Sequence, residues 1–212
     1  IYCDFFSTTQ SEKKSAYVHA LCQELEMRRD YLGEEEVETI YLGGGTPSQL
    51  THEELESIFT YIYKVYRVTP DAEITLEANP DDLTPSYIAT LRQLPINRIS
   101  MGIQTFHEDT LKLLNRRHTA RQAIEAFQQC REAGFRNISI DLMYGLPGET
   151  QEMWESDLQQ AIALHPEHIS AYHLIYEEGT ALWELKEKRR VEEADEELSL
   201  RLFTLLIDRL TE

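Results

Sequence analysis

The chain is 212 residues long, with 42% apolar and 27% charged residues, an ordinary globular balance and enough length for one sizeable core. Lys and Arg number 20 against 38 Asp and Glu, a formal charge of −18, which excludes a broad basic field for a nucleic-acid backbone or an anionic membrane surface. No apolar run is long enough to span a bilayer. The three cysteines are an odd number in a chain with no secretory signal, which argues against a disulfide framework and for a reducing, cytoplasmic setting.

The chain opens "IYCDFF", where Cys3 is open to two readings, a packed thiol near a terminus or a metal ligand. From Ser11 to Arg29, Tyr17, Leu21 and Leu25 recur at helical spacing with Cys22 bordering the stripe. "VETIYLGGGTPSQL" places a short strand, Val37 to Leu42, directly before three glycines. Thr51 and Glu54 then have the spacing of a capping box ahead of Leu55, Ile58, Phe59 and Ile62. "AEITLEANP" is a second strand, followed from Thr84 by a helix with proline at its first position. "NRISMGIQTF" is a third strand, and after it come a short helix through Leu114 and a longer one from Thr119 to Ala133. "NISIDLMYG", a helix from Gln151 to Leu164 and the strand "HISAYHLI" complete the alternation, and a charged helix from near Glu192 closes the chain. Five strands alternating with helices across short connections predict parallel β/α units in one domain.

In such a sheet, ligands are met where the strands end at their carboxyl side. "GGGTP" there is either a turn or a stretch where a missing Cβ lets a ligand reach the backbone, and no Gly-Lys-Ser/Thr follows to make it a phosphate loop. Glu77 ends a strand whose inward positions are expected to be apolar, so its carboxylate needs a partner, for which a ribose diol is suitable. Gln104 and Asp141 are placed at equivalent strand ends. In "LNRRHTARQA", Arg117 and His118 read as a solvated basic turn, while Arg116 can hold a carboxylate if it faces the strand ends. In "DLMYGLPGET" the Pro and Gly define a turn, and Glu149 and Thr150 suit a helix start. Cys22 and Cys130 read as core thiols, and His19, His52, His107, His165 and His168 as surface or helix-end residues.

Together "YCDFFS", "YLGGGTPS", "ITLEANPDDLT", "RISMGIQTF", "LNRRH" and "ISIDLMYGLPGET" resemble the radical S-adenosylmethionine family, in the oxygen-independent coproporphyrinogen III oxidase-like branch that includes heme chaperones. The resemblance runs from residue 1 to about residue 180 in order. It implies an α/β fold, an incomplete (β/α)6 barrel, here lacking its first strand, with residues 1–212 as the radical SAM core domain. It also implies a [4Fe–4S] cluster held by Cys-x3-Cys-x2-Cys, with S-adenosylmethionine chelating the fourth iron. By that resemblance Cys3 is the third cluster cysteine, Tyr2 the aromatic residue before it, and the other two would lie before Ile1.

Carried over in the same way, Gly44, Gly45 and Thr46 meet the methionine part of the cofactor, Glu77 its ribose, and Arg116 its carboxylate. Gln104 and Asp141 match further cofactor positions, and the backbone of Ile175 meets the adenine side. The implied chemistry is one-electron cleavage of the sulfonium, with an electron donor as partner and a tetrapyrrole, heme or coproporphyrinogen III, as ligand or substrate. Oxidases of the branch carry Cys-x-Cys at the third cysteine, whereas Asp4 and Phe5 follow Cys3 here, which favours the heme-chaperone side. The carboxyl-terminal domain of the family lies outside these 212 residues.

Overall fold

The computed structural model describes residues 1–4 and 11–211. Phe5, part of the departure noted after Cys3, lies outside the described residues, as does Glu212. Five strands, β1 (Val37–Leu42), β2 (Val68–Ala78), β3 (Arg98–Gln104), β4 (Asn137–Tyr144) and β5 (His168–His173), form one parallel sheet in the order of the sequence. When every strand pairs with the next through a right-handed crossover, all the connecting helices fall on one side of the sheet, and the sheet curls as in a barrel.

The connecting helices are α2 (His52–Val65), α3 (Pro85–Leu91), α4 (Glu108–Leu113), α5 (Ala120–Glu132) and α6 (Gln151–Ala163), with α1 (Lys14–Met27) before β1 and α7 (Ala181–Glu187) and α8 (Glu196–Thr211) after β5. Their starts follow from sequence: Thr51 and Glu54 form the reciprocal capping box of α2, Thr119 and Gln122 that of α5, and Thr84 caps α3 with Pro85 at its first position. On the sheet face toward the helices, Ile40, Ile74, Leu76, Ile99, Met101, Ile138, Ile140 and Leu142 merge with Leu55, Ile58, Phe127, Trp154 and Leu158 into one buried core. Each fully buried Leu or Ile of this kind contributes about 1.5–3 kcal/mol.

The opposite face of the sheet departs from expectation. It is polar rather than apolar: Glu77, Ser100, Ser139 and His168 lie in one row across β2 to β5, and Gly102, Asp141 and Ser170 in the next row toward the strand ends. The period of two places these residues together because each is offset by one from a core isoleucine, leucine or methionine. Asp141 is consequently not a terminal residue of its strand, since β4 runs on to Tyr144.

Three further differences are local. In α1 the inward residues are Val18 and Cys22, whereas Tyr17 is 63% exposed, so the buried stripe is rotated from the expected one. The segment near Glu192, expected to open the last helix, is instead the loop after α7, and α8 starts at Glu196, anchored by Leu202 and Leu206 and by a 3.0 Å bond from the Trp154 indole N–H to the Leu202 carbonyl. Ile1 and Tyr2 pack against a second apolar cluster made of Leu114, Met143, Leu146, Leu174, Tyr176 and Leu182. The Leu182 N–H donates to the Ile1 carbonyl at 3.0 Å, which pins the segment that carries Cys3. Among the described residues no helix is long and apolar enough to cross a membrane.

Candidate functional site

A cavity of about 670 Å³ opens on the polar face of the sheet, and Tyr2, Cys3, Gly45, Thr46, Glu77, Gln104, Asp141 and Ile175 all line it. Gly44 and Arg116 stand behind the wall: the Gly44 N–H donates to Glu77 Oε2 at 3.1 Å, and Arg116 reaches the wall residues Asn79 and Gly102. All ten residues singled out in the sequence therefore converge on one place.

Glu77 is held on both oxygens. The Tyr41 hydroxyl donates to Oε1 at 2.9 Å and the Gly44 N–H to Oε2. Of the three successive glycines, Gly43 is the one the packing requires, because a Cβ there would sit 2.7 Å from the Tyr41 ring and 2.8 Å from Glu77 Cδ. Gly44 is required for a different reason, its φ of +97°. A Cβ at Gly45 meets nothing within 4 Å, so its approach to the cavity is open.

Arg116 donates from one guanidinium nitrogen to the Asn79 side-chain carbonyl at 2.7 Å and to the Gly102 carbonyl at 2.8 Å. Its Nε is buried and has no hydrogen-bond partner. A buried guanidinium with an unused donor favours an anionic acceptor such as a carboxylate. Arg116 therefore faces the strand ends, the condition on which its candidacy rested. Its neighbours divide: Arg117 is exposed and pairs with Asp81 and Asp82, but His118 is buried, and its Nε2 bonds the Ile103 carbonyl at 3.1 Å. Burial, helped by the positive charge of Arg116, lowers the His118 imidazole to about 4, so it is a neutral ring tied to β3 rather than part of a solvated basic turn.

Asp141 accepts from the Ser100 hydroxyl at 3.2 Å, and burial raises its carboxyl above the usual range despite that bond. Gln104 closes β3 with a φ of +71°, at a slip in the pairing register with β4. Ile175 is largely exposed at the rim, just beyond β5. Glu149 does more than start a helix: its carboxyl group folds back so that Oε2 accepts from the Gly145 and Leu146 N–H groups at 2.6 and 3.2 Å, fixing the turn after β4, while Thr150 caps α6.

Sequence reasoning missed Tyr41 and Ser100. Both were findable from the period of two, which puts them on the face of Glu77 and Asp141; Gly43 and Asn79 stood in the quoted strand ends "GGGTP" and "EANP" without a role of their own.

As a test of fit to an iron–sulfur centre, Cys3 is an exposed free thiol on the cavity wall, whereas Cys22 and Cys130 are buried among the helices. Among the described residues no group of three His, Cys, Asp or Glu side chains is placed to hold a metal, so these residues supply one thiolate of such a ligand set. The remaining groups fit S-adenosylmethionine in kind: an acceptor-only carboxylate, an arginine with a free donor, and a glycine turn open to close approach.

Comparison with known proteins agrees. The family model of the Radical SAM superfamily matches residues 1–161. The chain is 36% identical over 211 residues to the heme chaperone HemW of Bacillus subtilis, covering 99% of this chain and 56% of that one. It is 37% identical over 181 residues to HemW of Escherichia coli, covering 84% and 48%. The solved structure of coproporphyrinogen III oxidase (HemN) from Escherichia coli, a radical SAM enzyme, superimposes with a TM-score of 0.85 at 26% identity, over 99% of this chain and 49% of that one. Archaeal Elp3 from Methanocaldococcus infernus shares the fold at a TM-score of 0.74 and 18% identity, over 91% and 51%. The chain spans about half the length of the curated relatives it matches. By its sequence, its curled parallel sheet and the match over residues 1–161, the chain belongs to the radical SAM superfamily, the family of the [4Fe–4S] cluster and S-adenosylmethionine.

Proposed function

We propose that residues 1–212 are the radical SAM core domain of a heme chaperone related to oxygen-independent coproporphyrinogen III oxidase, working in the cytoplasm with an electron donor. The observation that carries this reading is that Cys3 and Glu77 line one cavity whose wall residues Asn79 and Gly102 are held by Arg116, in a chain 36% identical to a heme chaperone along nearly its whole length.

When bound, the cluster and S-adenosylmethionine supply one-electron chemistry at the sulfonium, and the protein supplies orientation and shelter from water. Cys3 gives a thiolate to the cluster, with Tyr2 packed beside it. Glu77, fixed in advance by Tyr41 and Gly44, accepts from the two ribose hydroxyls. Arg116 takes the methionine carboxylate on its free Nε, and Gly44, Gly45 and Thr46 leave room for the methionine chain. Gln104, Asp141 and the backbone of Ile175 border the nucleoside. Ordering these groups before the ligand arrives reduces the entropy lost on binding.

Heme capture tests the chaperone reading. Hemin titrated into the full-length protein should give a saturable Soret shift, and the bound heme should pass to an acceptor apoprotein. The likeness to the oxidase structure over 99% of this chain favours the oxidase as a second reading. Anaerobic incubation of the reduced protein with coproporphyrinogen III and S-adenosylmethionine separates the two: protoporphyrinogen IX formed over many turnovers sinks the chaperone-only reading, and heme capture without turnover sinks the oxidase.

A further inference from the structure

Asp157 lies on α6, fully buried, and both of its oxygens are directed at the two residues that follow Gln104. Oδ2 accepts from the Thr105 hydroxyl at 2.6 Å and Oδ1 from the Phe106 N–H at 2.8 Å. His107, next in the chain, bonds the Met153 carbonyl at 2.9 Å through Nε2, which is also 3.5 Å from Asp157 Oδ1. The loop after β3 is thus tied to α6 at three consecutive residues, by partners about fifty positions away in sequence.

Gln104 is where this tie matters. Its φ of +71° is one that non-glycine residues avoid, and the β3–β4 register slips at that residue, so the sheet alone does not hold it there. Its amide lies so near Gly102 that a Cβ added there would be 2.9 Å from Gln104 Nε2, beside the Gly102 carbonyl that holds Arg116. A fully buried carboxylate carries a desolvation cost that a packing role would not require, since an apolar side chain could fill the same space. Its hydrogen bonds account for its presence.

We propose that Asp157 is the positioning residue for Gln104: from the outer layer of helices it clamps Thr105 and Phe106, and so holds Gln104 in the left-handed conformation that sets its amide on the cavity wall. The proposal rests on the reading that Gln104 borders the cofactor.

The test is a double-mutant cycle on the anaerobically reconstituted, oxidised full-length protein, reading the affinity for S-adenosylmethionine by equilibrium dialysis without turnover. Q104A and D157N are each expected to weaken binding about tenfold, and the double variant no further than either, because coupled residues lose one interaction once. Iron content should stay at the wild-type value in all three. If D157N does not fold, T105V replaces it in the same cycle with the same expectation. Wild-type affinity in the clamp variant, or losses that multiply in the double variant, would overturn the proposal. A wild-type protein that binds while Q104A binds equally well overturns this inference alone, and a wild-type protein that takes no cofactor overturns the site reading with it.

Discussion

Asn79, just after β2, accepts from the Arg116 guanidinium at 2.7 Å, so a residue beyond one strand end orients the arginine that follows α4. The bond uses a neutral carbonyl and leaves the positive charge of Arg116 unspent, with Nε buried and free. A carboxylate at position 79 would neutralise it. We therefore expect N79D to weaken S-adenosylmethionine binding by competing for the guanidinium, and R116K to weaken it on the order of ten- to hundredfold by losing the planar fork. Equilibrium dialysis with both variants, beside their melting temperatures, checks this; unchanged affinity in R116K would remove Arg116 from the site.

The three glycines should separate by mechanism. G43A drives a methyl into Tyr41 and Glu77, so its cofactor affinity should fall to about that of E77Q. G44A places Cβ at a φ of +97° and should cost about 1 kcal/mol of stability. G45A, with open space around its Cβ, should melt like wild type. Urea titration and cofactor dialysis on the three variants read the two effects apart.

Much of this was legible locally. The five strands, the capping box of α2, the core thiols Cys22 and Cys130, and the candidacy of Glu77 and Arg116 rest on periodicity or on motifs a few residues long. What escaped depended on contacts between distant segments. Tyr41 meets Glu77 across 36 positions and Asp157 meets Thr105 across 52, separations that no window of helix or strand spacing covers. His118 was read as solvated because its neighbours are arginines, yet the turn directs it inward to the Ile103 carbonyl. The polar sheet face was missed because parallel barrels are ordinarily filled by branched apolar residues.

Stability should depend on pH through two buried groups of opposite sign. Burial pushes the Glu149 carboxyl up to about 8, outweighing its bonds to the Gly145 and Leu146 N–H groups. The folded chain then holds a proton that the unfolded chain releases near 4.5, so stability falls as pH rises from 4.5 to 8. His118, lowered to about 4, works the other way: the unfolded chain takes a proton below 6.5 that the folded chain refuses, so stability rises with pH from 4 to 6.5. The two oppose each other below 6.5, and above it only Glu149 of this pair still acts, on the order of 1–2 kcal/mol between pH 6.5 and 8. Thermal melts should show the wild-type chain losing stability across that upper window and E149Q losing less; equal slopes would contradict the assignment.

The cysteines should differ in reactivity. Cys3 is exposed, whereas Cys22 and Cys130 are buried, and burial pushes the Cys130 thiol up to about 12. Since only the thiolate reacts, iodoacetamide on the native, iron-free protein should label Cys3 alone by peptide mass spectrometry, with Cys22 and Cys130 labelled only after unfolding.

The most direct test of the central claim, that Cys3 brings an iron–sulfur cluster to the Glu77–Arg116 cavity, is iron and sulfide analysis of the full-length protein after anaerobic reconstitution, beside its Cys3→Ala variant. About four irons per chain in the wild type, falling to near none in the variant while the fold is kept by circular dichroism, is the predicted result. Iron content that is unchanged by Cys3→Ala, or absent from the wild type, would contradict it.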